Sequence, residues 1–408
     1  METTRVIPVL CLIWIGGFAA GCTAADVTPD TPIEDLPKFS LEEELRIGSM
    51  EDPDIGFTRI GDVWVSPTGE VYVSEARELE VRAYHADGRL LRTYGREGEG
   101  PGEFRSIQGF GVVGDTLWIS DSRLNRTTLF SLDGALLETV TAVLQVPIGE
   151  EMGFPLTVPV FPHALRSDGL IESMFVGRIY PNLPDSVAEV PRVLFDRDGR
   201  VVDTLEMVQT RVSRPAQVLQ FGNRTSYVYL DPPAPDSGTY EVELDSGTFA
   251  IRWFVDGEPA TGALRVVRRG PSGDTLFQEA LRYDPRRVSS SYLDSLAASR
   301  ARGSQTGRDS VRLFNAYRSA TQLPEYHRPV RPPNTVGNGV VWTKLDPDDR
   351  DGNQWLFFLE QEEMLGVLDL PPGATVKWTD GGQIWLAQRD SFDVPWLVNY
   401  RIVTPRTR

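Results

Sequence analysis

Cysteine is nearly absent from this chain of 408 residues: Cys11 and Cys22 are the only two. A disulfide framework is excluded, so the fold must be held by its own core, which a chain of this length can bury. Histidine is as scarce, at His85, His163 and His327, with neither H-E-x-x-H nor any pair at metal-ligand spacing. The G-x-S-x-G of serine hydrolases is missing. Lysine occurs only at Lys38, Lys344 and Lys377, and the formal charge is −17. That balance repels a phosphate backbone and argues against a nucleic-acid partner. Beyond residue 22 no apolar run approaches the length that spans a bilayer.

The N-terminus is what remains for membrane attachment. "METTRVIPVLCLIWIGGFAAGC" has a short region with Arg5, an apolar stretch from Val6 to Ile15, and small residues before Cys22. The apolar stretch is too short for a mature transmembrane helix and reads as a signal peptide over 1–21. Ala20, Gly21 and Cys22 resemble a bacterial lipobox, in which the chain is cut before a cysteine that is then acylated. Cys11 leaves with the signal, so Cys22 is the one thiol of the mature chain and the expected lipid attachment site. The expected location is the bacterial cell envelope, on the outer membrane facing the periplasm. Residues 22–50, rich in Thr, Asp and Pro at first, read as a tether, with one short helical turn in "SLEEELRIG".

"GREGEGPGEF" (95–104) raises a different question, because its glycines could cradle a phosphate. No helical pattern follows, and Glu97 and Glu99 would repel the ligand, so a connecting turn is the better reading. Its flanks support that. Residues 71–93 and 117–139 align without a gap at an offset of 46, matching Ser74 with Ser120, Arg77 with Arg123, and Asp87-Gly88 with Asp133-Gly134. Each copy reads as short strands joined at an Asp-Gly turn. Looser copies follow at 193–207 and 374–403. Units of forty to fifty residues with about four strands each fit the blade of a β-propeller.

The segment 95–137 resembles an NHL-type repeat, with its Gly-Pro-Gly-Glu-Phe connector, its "LWISD" strand and its "NRTTLF" run before an Asp-Gly turn. It is also similar to the six-bladed propeller lipoproteins of many bacteria. The likeness is clearest over 57–140, loose over 330–405, and faint over 207–325. It implies an all-β fold over 51–408, a propeller of six blades with seven as the alternative. The 95–104 stretch then becomes a blade-to-blade connector, with Phe104 anchoring the next blade. Two stretches break the strand pattern. "SSSYLDSLAASRARG" (289–303) and "RDSVRLFNAYRSA" (308–320) predict a short helical insertion near 289–320, packed on a blade edge.

Candidate chemistry is sparse. Asp346, Asp348, Asp349 and Asp351 beside Gly352 form an oxygen-rich loop of the kind that suits Ca²⁺, but the spacing departs from the EF-hand and a solvated hairpin turn is preferred. Glu75 with Arg77, and Asp121 with Arg123 and Arg126, recur in each copy. A catalytic residue would not be repeated, so these read as hydrogen bonding within the blade. Trp64, Trp118, Trp342, Trp355 and Trp385 read as packing between sheets. No catalytic or cofactor-binding residue stands out, and no cofactor is expected. The expectation is a module that binds a small molecule, a carbohydrate or a protein at a propeller face, without catalysis of its own. A lactonase- or lyase-like propeller enzyme with a metal in its channel is the rival, and an assembly scaffold is a third class.

Overall fold

The computed structural model describes residues 31–52, 55–148, 156–175, 186–212, 217–221, 224–228, 237–244, 247–257, 259–301, 307–320, 325–334, 340–345, 353–360 and 362–405. The repeat seen in the sequence is a four-stranded antiparallel meander. Ile60–Val65, Val71–Glu75, Glu80–Tyr84 and Leu90–Tyr94 pair in that order, and so do Gly109–Val113, Thr116–Asp121, Arg126–Ser131 and Leu136–Thr141. Val71–Glu75 is buried at every position. A strand wrapped by protein on both faces needs no polar side, which is why "VYVSE" and "LWISD" do not alternate in polarity.

The turns repeat as faithfully as the strands. Gly69, Gly88, Gly134, Gly169, Gly199 and Gly273 all take φ between 77° and 96°. Each donates its N–H to the carbonyl three residues back. An L side chain is strained at that φ, so the turn recurs wherever glycine does. Leu79 and Asn125, opposite each other in the alignment, both adopt left-handed backbone, at φ 60° and 50°.

The later sheets differ in size. One joins the five strands from Leu144–Ile148 through Val201–Val212, and another joins Gly238–Leu244, Gly247–Asp256, Thr261–Arg269 and Thr275–Tyr283. Two three-stranded meanders follow, at 340–369 and 375–403. A single N-terminal strand, Lys38–Ile47, lies between them. Its first two residues run parallel to Met364–Asp369, and the rest pairs antiparallel with Pro395–Val403. The start of the chain thereby completes its last sheet.

Neighbouring sheets pack broad face on broad face at five joints. Trp64 and Tyr72 meet Phe110 and Leu117, and Trp118 and Leu129 meet Val160 and Phe195. Further along, Tyr240 and Leu264 meet Val341 and Phe358, and Trp342 and Phe357 meet Ile384 and Tyr400. Trp378 and Trp385 then meet Val63 and Tyr84, returning to the first sheet. Among the described residues, no core cluster joins the 144–212 sheet to the 238–283 sheet. Leading strands also touch in sequence: Thr375–Thr379 on Ile60–Val65, that strand on Gly109–Val113, and that one on Leu156–Leu165, the second strand of its sheet. Sheets stacked face to face around converging first strands make a β-propeller.

The 95–104 stretch connects the first two sheets. Gly95, Gly98 and Gly102 all have positive φ. Phe104 is fully buried in the cluster between those sheets. Arg126 ties the connector down by donating to the carbonyls of Glu99, Gly100 and Glu103 at 3.1, 2.8 and 2.6 Å. The helical insertion is present as Ser290–Ala301 and Gly307–Ala320, which pack on each other. Ser289 Oγ accepts the N–H of Tyr292 at 3.2 Å at the start of the first helix.

The short helical turn expected in "SLEEELRIG" needs correction. The strand Lys38–Ile47 replaces the helical turn, and Phe39 and Ile47 are buried. Apolar residues at 39, 41, 45 and 47 alternate with polar ones, a period of two that outweighs the helix propensity of the Glu run. The signal region and Cys22 lie outside the described residues, so the lipid-anchor expectation has no structural counterpart here. No helix among the described residues is long and apolar enough to cross a membrane.

Candidate functional site

The acidic loop with Asp346, Asp348, Asp349 and Asp351 also lies outside the described residues. Among those described, no three His, Cys, Asp or Glu side chains converge in a way that could hold a metal. His85 sits in a surface turn with Nδ1 3.1 Å from Asp87. His327 is buried with its ring edge-on to Tyr292, 4.7 Å between centroids.

The repeated acids are structural, though their partners differ from those expected. Glu75 accepts the backbone N–H groups of Thr58, Arg59 and Arg77. Asp121 accepts those of Arg105, Arg123 and Leu124, plus the Ser106 hydroxyl at 2.7 Å. Each carboxylate pins the loop leading into its own sheet, and the side chains of Arg77 and Arg123 are not the donors. Trp64, Trp118, Trp342 and Trp385 are buried between sheets as expected, and Trp355 packs half-buried at the edge of one such core.

Register slips occur in several sheets, three of them at residues of chemical interest. Pairing slips by one residue between Ile60 and Val63, between Pro162 and Ala164, and between Val376 and Trp378. The residues at these bulges are Gly61 and Asp62, His163, and Lys377. A bulge re-aims a side chain out of the alternating pattern. Three strands therefore use their irregular position for an acid, an imidazole and an amine.

These side chains go to two places. His163 turns into the joint with the preceding sheet, where its Nδ1 lies 2.7 Å from Ser120 Oγ. It is packed so closely on Gly109 that a Cβ there would fall 2.8 Å from Cε1. Burial pushes its pKa down to about 4, which keeps the ring neutral.

Asp62 and Lys377 stay near the hub, on first strands that touch each other. The N–H of Asp62 donates to Ser74 Oγ at 2.8 Å, which holds the bulge while leaving the carboxylate free. Solvent reaches Asp62, and Lys377 is half-buried. Yet surrounding protein raises the Asp62 carboxyl pKa by desolvation, with Lys377 opposing the rise. Desolvation likewise lowers Lys377, Asp62 resists, and the nearby positive charge of Arg59 lowers it further. Asp62 and Lys377 feel each other without forming an ion pair, and neither they nor the Arg59 guanidinium has a hydrogen-bond partner among the described residues.

No family model and no curated protein matches the chain. Solved structures do resemble it in outline. An exported protein of Bacteroides fragilis is 10% identical, with 90% of this chain and 99% of that one covered at a TM-score of 0.39. Virginiamycin B lyase from Staphylococcus aureus is 10% identical, covering 90% and 100% at 0.37. A member of the DUF4221 family from Bacteroides vulgatus is 11% identical, covering 90% and 99% at 0.41.

Sequence reasoning passed over Asp62, His163 as a joint residue, and Lys377. A weak signal was present for each: a glycine before the acid in "RIGDVWV", a proline before the imidazole in "VFPHAL", and one of only three lysines inside the apolar "TVKWT". An isolated glycine within a strand pattern is a bulge signal.

Proposed function

We propose that this chain is an exported, lipid-anchored propeller of six NHL-like blades that binds a small molecule at the hub. Acylation at Cys22 would hold it to the outer membrane on the periplasmic side. The observation that carries the binding reading is the set of unspent charges on Asp62, Lys377 and Arg59. Elsewhere the protein pairs its arginines freely, as in Arg192 with Glu172 and Glu206. Charges left without protein partners on strands that touch each other are what a ligand would meet. Thermal melting of the protein against a panel of small metabolites tests this. At least one compound should raise the midpoint, and the rise should vanish in Lys377→Met. A panel with no effect on the native protein counts against the reading. Anchoring has a separate test: Cys22→Ser should move the protein out of the membrane fraction.

A propeller enzyme is the second reading, and one observation favours it. Desolvation raises the Asp62 carboxyl pKa and lowers that of the Lys377 ammonium, the direction of shift that a general acid and base would use. Hydrolysis of simple lactones that is lost in Asp62→Asn would support this reading over simple binding.

A further inference from the structure

The last strands of four sheets share one irregularity. Pairing with the strand before skips a single residue just after the turn. The skipped residue is Leu91 in Leu90–Tyr94, Leu137 in Leu136–Thr141, Val202 in Val201–Val212 and Leu276 in Thr275–Tyr283. All four are large apolar side chains, between 44% and 55% exposed. A bulge re-aims its extra residue and also blunts the edge of a sheet against unwanted pairing. Blunting an edge favours charged side chains, yet here each bulge sends an apolar one into solvent.

The four positions lie on one rim of the propeller. In three sheets the turn before the bulge docks on the outer strand of the sheet before. A Cβ on Gly88 would fall 3.1 Å from Leu45, one on Gly134 2.7 Å from Arg92, and one on Gly199 2.8 Å from the Thr141 carbonyl oxygen. Leu276 follows its own glycine turn, at Gly273, in the same place within its sheet. Sheets arranged radially present equivalent positions at the same end of the axis. Arginines on this rim are spent locally, Arg89 on Asp87 and Arg200 on Asp198. Apolar surface, rather than positive charge, is what the rim offers.

The start of the chain indicates what meets it. Thr31 and Pro32 run parallel to Leu281 and Arg282, on the outer edge of the strand that carries Leu276. Parallel pairing turns the N-terminal side of Thr31 toward the Leu276 end. The distance along the strand from Leu281 to Leu276 is about 17 Å. Cys22 precedes Thr31 by nine residues, a reach of about 30 Å at full extension. The rim is therefore within reach of an acyl group on Cys22.

We infer that this rim seats on the lipid bilayer, with Leu91, Leu137, Val202 and Leu276 dipping into its apolar layer. The propeller then stands on one end, and its other end faces away from the membrane. This rests on the lipid anchor at Cys22 proposed above.

The test uses the acylated protein, reconstituted into vesicles of uncharged phosphatidylcholine. Lipid attachment leaves Cys22 without a free thiol and Cys11 is lost with the signal, so one added thiol carries a fluorescent label. Leu91→Cys, Leu137→Cys, Val202→Cys and Leu276→Cys place it on the rim. Phe392→Cys, at an exposed position, places it at the other end. Phe392 lies before Pro395–Val403, whereas each rim residue follows the corresponding strand of its own sheet. Rim labels should be quenched by nitroxides carried on the lipid tails, and about threefold less than the label at 392 by aqueous iodide. Unchanged thermal midpoints show that each variant folds. Rim labels as open to iodide as the one at 392, and silent to the lipid nitroxides, would overturn the inference. Shielding that grows with the protein-to-lipid ratio, without quenching from the tails, would assign the rim to a second copy and overturn it too. The mass of the purified protein separates the two readings. A bare Cys22 removes the anchor and the rim inference with it, whereas an acylated Cys22 with exposed rim labels removes the rim inference alone.

Discussion

Ser120 Oγ and His163 Nδ1 face each other at 2.7 Å across the joint between two neighbouring sheets. The pair is buried, and the peptide oxygen of His163 also accepts the Thr127 hydroxyl at 3.1 Å. Trp118 covers the imidazole edge-on, with ring centroids 5.5 Å apart. Nε2 has no hydrogen-bond partner among the described residues. The joint is therefore made with a neutral ring, and a proton there has nothing to stabilise it.

This makes stability depend on pH. In the folded protein burial pushes His163 down to about 4, whereas an unfolded chain takes up the proton near the ordinary imidazole value of 6.5. Between those values the unfolded state holds more protons, so acid favours unfolding. Stability should fall as pH drops from 6.5 to 4, by up to about 3 kcal/mol, with no further loss from this group below 4. Urea unfolding at pH 7, 5.5 and 4 measures it. In His163→Phe the slope over that window should flatten.

Asp121→Ala should cost about 2–4 kcal/mol, because it leaves the N–H groups of Arg105, Arg123 and Leu124 without their acceptor. Chemical denaturation gives the value. A loss under 0.5 kcal/mol would mean that the carboxylate does not pin the loop.

Two glycines separate backbone strain from side-chain collision. At Gly95, φ is 84° and a Cβ would lie 2.4 Å from the Phe104 ring. At Gly114, φ is 57° and nothing lies within 4 Å. Gly114→Ala should cost about 1 kcal/mol, and Gly95→Ala about 2–4 kcal/mol. Equal melting temperatures for the two variants would refute the assignment of Gly95 to the packed connector.

The closing strand can be probed through Ile47, which is buried with Val63 and Trp378 in the joint between last sheet and first. Ile47→Ala should destabilise by about 2–4 kcal/mol. If residues 38–47 were only a tether, the change would be silent in a thermal melt.

How much of this was legible depends on range. The 46-residue repeat, the Asp-Gly turns, the Trp packing positions and the two helices follow from contacts between near neighbours, and a local pattern records those well. The Glu-rich strand at 38–47 misled because its partner, Pro395–Val403, comes from the far end of the chain. The paired acids were assigned a structural role correctly, but their partners were not, since backbone N–H groups leave no mark in a sequence.

By itself, then, the sequence settled that this chain is all-β and built from repeated sheets, because β-branched and aromatic runs punctuated by turn glycines admit little else. Only the tertiary structure decided which charges meet. Asp62 and Lys377 stand more than three hundred residues apart, and each sits at a one-residue slip in strand pairing that no local periodicity marks. The joint between the last sheet and the first brings their strands together, and that joint is made by side chains from both ends of the chain.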